Sequence, residues 1–115
     1  MSFEDLLKSL QQDYLSTLPE KVGVIRAQIE RTALTDLRES FHKLKGTGRT
    51  YGLPEVSELA EVAESVCLAT PKEAPAVARL AVDVLQDIHA AHTQQRAFDL
   101  QKDSRFLQMR KFLAS

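Results

Sequence analysis

A chain of 115 residues has room for one domain with a modest core, and would starve a second core of apolar surface. With 43% hydrophobic residues, 27% charged residues and a formal net charge of -1, it has the make-up of an ordinary globular protein and no bulk attraction for nucleic acid or an anionic membrane. The N-terminus opens Met1-Ser2-Phe3-Glu4-Asp5 without a basic region or cleavage site, no stretch could span a bilayer, and a cytoplasmic monomer is the expectation.

Apolar residues recur at helical spacing in every segment, and no run alternates as a half-buried strand does, so the chain reads as all-α. A first helix carries Phe3, Leu6, Leu7, Leu10 and Tyr14. Pro19 marks a break, and a second helix carries Leu18, Val22, Ile25, Ile29 and Thr32. The third runs from about Leu34 with Leu34, Leu37, Phe41, Leu44, Gly48 and Tyr51 on one stripe. Gly52 ends it and Pro54 opens the fourth. That helix buries Val56, Leu59, Ala63 and Val66 and stops before Thr70-Pro71, because the residue ahead of a proline avoids helical geometry. Cys67, the only cysteine, lies on its apolar stripe and reads as a buried thiol with no disulfide partner.

The fifth helix places Val77, Leu80, Ala81, Val84, Ile88, Ala91 and Gln95 on its inner face, and Phe106, Met109 and Leu113 predict a short sixth. Connections this short force successive helices to pack antiparallel. The predicted fold is an antiparallel up-down four-helix bundle of helices two to five within a single domain, 1–115. The core spans about 19–96, an additional N-terminal helix caps one end, and a short C-terminal helix occupies the extension of about 98–115.

Within the third helix, His42 keeps unusual company. Three of the four glycines fall in Gly46-Thr47-Gly48-Arg49-Thr50-Tyr51-Gly52, although glycine inside a helix costs about 0.5–1 kcal/mol relative to alanine. A close approach to His42 would explain them. At about 100° per residue, His42 lies away from the Leu34-Leu37-Phe41-Leu44 stripe and faces solvent, sharing its side with Arg38, Lys45, Gly46 and Arg49. An exposed imidazole beside a cation and a gap in the side-chain layer suits transient phosphorylation. A neutral ring nitrogen attacks phosphorus, an ammonium balances the incoming charge, and the glycine admits another protein's surface.

The string His42-Lys43-Leu44-Lys45-Gly46-Thr47-Gly48, followed by Gly52, resembles the signature of histidine-containing phosphotransfer (HPt) domains, which runs His-x-Leu-Lys-Gly with small residues and a further glycine. The likeness continues through Val56 and Leu59 to Ala63-Glu64, where the family has spaced aliphatics and a Leu-Glu pair. Phe41 stands where a small residue is common, Arg49 is bulkier than the usual occupant, and Ala63 replaces leucine. The resemblance implies that His42 is the phosphoacceptor, that Lys45 stabilises the phosphoryl charge, and that Glu64 orients the imidazole through its other nitrogen. Gly46, Arg38, Arg49 and Glu61 would belong to the partner-docking surface. It further implies a phosphorelay intermediate that accepts a phosphoryl group from a receiver-domain aspartyl phosphate and passes it to another receiver. Such a chain is a phosphoryl carrier rather than an autonomous kinase. Its partners would be response-regulator receivers and a hybrid sensor histidine kinase, with no cofactor of its own and Mg²⁺ held by the receiver.

Other readings compete. An HPt-like bundle could dock and regulate receivers or a kinase without carrying phosphate. A four-helix metal protein could use His42, Glu64, His89 or His92, the last two standing three apart on one helix. The glycines loosely suggest a phosphate-binding loop, but no strand precedes them. Arg105, Arg110 and Lys111, interleaved with Phe106 and Phe112, could touch nucleic acid or membrane, although those aromatics more simply dock on the bundle.

Overall fold

The computed structural model describes residues 2–114. Helix α1 spans Phe3–Glu30, α2 Leu34–Thr50, α3 Pro54–Ala69, α4 Ala74–Thr93 and α5 Ser104–Ala114, with single 3₁₀ turns at Pro71–Glu73 and Leu100–Lys102. Helices α1 to α4 form a ring in chain order, α1 against α2, α2 against α3, α3 against α4 and α4 back against α1, as an up-down bundle requires.

One predicted boundary is absent. Pro19 lies inside α1, so the expected N-terminal and second helices are a single helix, opened by the Ser2 hydroxyl accepting from the Asp5 amide at 3.1 Å. Proline removes one amide from the ladder, a local penalty of about 3 kcal/mol. The buried stripe of Tyr14, Leu15, Leu18, Val22, Ile25 and Ile29 continues across it, and that burial outweighs the defect. A further consequence is that the N-terminal residues do not cap the bundle. They prolong α1, leaving Phe3 73% exposed and Leu6, Leu7 and Leu10 exposed with it.

The helix ends explain two smaller differences. Thr32 and Gln95 were expected on inner faces, but each lies just past a helix end with positive φ, +53° and +56°, and is exposed. Between α2 and α3 the chain closes a Schellman motif. Gly52, at φ +81°, donates to the Arg49 carbonyl and Leu53 donates to that of Gly48. The core gathers Leu18, Ile25, Leu37, Phe41, Leu59, Val66, Leu85 and Ile88 from all four helices. Helix α5 seals one side by burying Phe106 and Met109 against α3 and α4, whereas Leu113 stays 41% exposed. Arg105 binds Asp103 and Asp87, and Arg110 lies over the Phe106 ring, so these cations serve the docking of α5.

Candidate functional site

Helix α2 turns Leu37, Phe41 and Leu44 into the core, which leaves His42 on the outer side with its side chain 64% exposed. Phe41, atypical beside such a histidine, is completely buried and is therefore a core residue. Across the α2–α3 interface, Glu64 comes from a largely buried position, its side chain 8% exposed. One carboxylate oxygen lies 2.6 Å from His42 Nδ1, and the other accepts from Lys45 Nζ at 2.7 Å. His42 and Lys45 thus share the carboxylate of a residue 22 and 19 positions further along the chain.

The electrostatics fix the tautomer. Burial alone would push the Glu64 carboxyl upward, but the hydrogen bonds from Lys45 and His42 outweigh it and hold the group below the usual glutamate value. Near neutral pH Glu64 is an anion and can only accept, so Nδ1 carries a proton, and in the neutral imidazole Nε2 is the nitrogen with the free lone pair. Lys45 is one turn from His42 on α2, with its side chain 35% exposed. The side chains of Arg38, Arg49 and Glu61 form no hydrogen bond or ion pair with these three side chains. Arg38 is half-buried one turn before His42, and Arg49 and Glu61 are exposed on the surrounding surface.

The glycines divide in two. A Cβ added to Gly46 would meet nothing within 4 Å, so no neighbour inside the fold requires that glycine. At Gly48 the close approach is internal. A Cβ there would lie 2.8 Å from both the amide nitrogen and the hydroxyl of Ser57, and 2.9 Å from Val56 Cβ. Gly48 lets α3 press on α2, so this glycine answers to packing inside the fold and not to an approach to His42.

Several contacts escaped the sequence reading because they join distant positions. The fully buried Ser57 binds the α2 backbone, Tyr14 stacks on Tyr51 with centroids 5.0 Å apart, and the Tyr14 and Thr47 hydroxyls meet at 2.8 Å. His92 Nε2 is hydrogen-bonded to Glu55, an acid of the same helix that supplies Glu64. Among the described residues, no group of three or more histidine, cysteine, aspartate or glutamate side chains is arranged to hold a metal ion. Cys67 is buried beside the site, where desolvation first and the Glu64 charge second push its thiol up to about 11.

The Hpt domain family model matches residues 9–100. The chain belongs to the Hpt domain family. Comparison with curated proteins and with solved structures returns no significant match in either. As an Hpt domain, the chain is a phosphotransfer module of two-component phosphorelays, a class that works with receiver domains and kinases. The match begins within α1 and ends at the turn before α5, so α5 lies outside the matched Hpt segment while contributing Phe106 and Met109 to the core. No helix among the described residues is long and apolar enough to cross a membrane.

Proposed function

We propose that this Hpt domain carries a phosphoryl group on Nε2 of His42, taking it from the aspartyl phosphate of one receiver and delivering it to the aspartate of another. The observation that carries the reading is the Glu64–His42 contact, 2.6 Å to Nδ1 on an imidazole that is otherwise exposed. In the forward step the Nε2 lone pair forms the N–P bond while the P–O bond to the receiver aspartate breaks, and the aspartate leaves as a carboxylate. The ring becomes an imidazolium that keeps its Nδ1 proton, and the Glu64 anion stabilises that charge. Lys45 offsets the charge of the phosphoryl oxygens, and open Gly46 leaves room for the receiver. Delivery to a second receiver reverses these bonds. Mg²⁺ belongs to the receiver, and Arg38, Arg49 and Glu61 border the docking face.

Incubation with a phosphorylated receiver should give acid-labile, base-stable label on the wild-type chain and none on His42→Gln. Label persisting in that variant sinks the assignment. Binding of receivers without label would favour a regulatory module that docks partners and carries no phosphate.

A further inference from the structure

We infer that Ser57 is a positioning residue for the transfer proposed above, acting through the α2 backbone one turn from His42; the inference rests on that reading of the site. Ser57 is fully buried on α3. Its hydroxyl donates to the Lys45 carbonyl at 2.7 Å and accepts from the Arg49 amide at 2.6 Å. Those two backbone groups are four residues apart and are each other's ordinary partners in an α-helix. A side chain from the neighbouring helix bridges the two backbone groups of one rung of α2, at the residue that supplies the site's ammonium.

Two further features make the contact specific. Gly48 is the only residue type that leaves space for it, since any Cβ there would collide with Ser57 at 2.8 Å. Seven residues beyond Ser57 on α3, on the same face two turns along, stands Glu64. Helix α3 therefore grips α2 twice on one side, by Ser57 on the main chain of Lys45 and by Glu64 on the side chains of Lys45 and His42. The first grip sets the height and rotation of α2 that make the second possible. Gly48 and Ser57 act as a lock that keeps the imidazole and the ammonium on one carboxylate.

Removing the hydroxyl leaves no orphaned polar group, because the Arg49 amide and Lys45 carbonyl can pair directly. Ser57→Ala should therefore remain folded with little loss of stability while altering the site. Expected results are transfer from a phosphorylated receiver slowed about tenfold or more, since small misplacements near reacting atoms have large effects, and an altered NMR signal of the His42 Nδ1 proton in the unphosphorylated protein. Ser57→Cys fills the same site with a weak donor and acceptor and should fall between the two. Unchanged transfer and an unchanged His42 proton signal in a folded variant would overturn the inference, and if Ser57→Ala does not fold, wild-type behaviour of Ser57→Cys overturns it. Should the wild-type chain accept no phosphoryl group at all, the carrier reading fails. The NMR comparison then decides alone whether Ser57 positions the cluster, an altered signal supporting it and an unaltered one refuting it.

Discussion

Glu64 Oε2 lies 2.6 Å from Nδ1 of His42, so a mostly buried carboxylate selects which nitrogen of an exposed imidazole bears the hydrogen-bonding proton. Exposure alone would leave His42 free to exchange tautomers and rotate. The carboxylate removes both freedoms and commits Nε2 to the solvent side. Glu64→Gln keeps the size and an acceptor oxygen but loses the charge that stabilises the phosphorylated imidazolium. Transfer from a phosphorylated receiver should slow about 10- to 100-fold, the scale typical of losing a partner that orients a reactive group. Receiver binding, which this substitution does not touch, should be unchanged when measured by titration calorimetry.

The same carboxylate makes stability depend on acid. Its pKa in the fold lies below the ordinary value of 4.5, so its contribution is fully present above that value and is lost as pH falls through the depressed one. Asp103 behaves alike: Arg105 holds its carboxyl below 3.8 and outweighs the effect of burial. Urea midpoints should be level from pH 7 to about 5 and then fall through the acid range. Glu64→Gln should flatten the earlier part of that fall and Asp103→Asn the later part. A slope identical to wild type in both variants would mean that other carboxylates control acid unfolding.

Much of this site was legible in the sequence, because its chemistry sits in one short string. His42, Lys45 and Gly46 are neighbours in the chain, and the stripe opposite His42 places the imidazole outside. Glu64 followed from the family pattern. Ser57 was not legible: a serine between Val56 and Glu58 reads as polar filler, and only the approach of α3 to Gly48 reveals that it faces inward. The misread of Pro19 has a different origin. Local propensity gives a break there, but a buried stripe continuous across the proline is a tertiary effect that propensity does not contain. The acids of α3 show the same limit. Glu55, Glu58, Glu61 and Glu64 recur every third residue, a spacing that names no partners, yet Glu55 binds His92, Glu58 binds Gln101 and Glu64 binds His42 and Lys45.

The two glycines inside α2 should answer oppositely to alanine. Gly46 has open space where a Cβ would go, so Gly46→Ala should raise stability by about 0.5–1 kcal/mol through helix propensity. If the opening serves docking, the same variant should transfer more slowly despite being more stable. Gly48→Ala drives a methyl into the Ser57 backbone, which cannot yield as a flexible side chain could, and should cost about 1–3 kcal/mol or more. Thermal melts and transfer rates measured on both variants separate access from packing. Loss of stability in Gly46→Ala would show that something other than docking space requires that glycine.

Pro19 offers a test that should leave the site untouched. It lies in the middle of α1, and its ring leaves the helix one amide short of a full ladder. Pro19→Ala restores that amide four residues after Leu15 and should stabilise the chain by about 1–2 kcal/mol. That is less than the full helix-interior penalty of about 3 kcal/mol, because alanine also frees the unfolded chain. His42, Lys45 and Glu64 contact one another on α2 and α3 and make no bond to Pro19, so transfer from a phosphorylated receiver should match wild type. Denaturant unfolding monitored by circular dichroism gives the first quantity and single-turnover transfer the second. A more stable variant that transferred poorly would show that the proline shapes the surface a receiver meets, and that α1 contributes to docking as well as to the core.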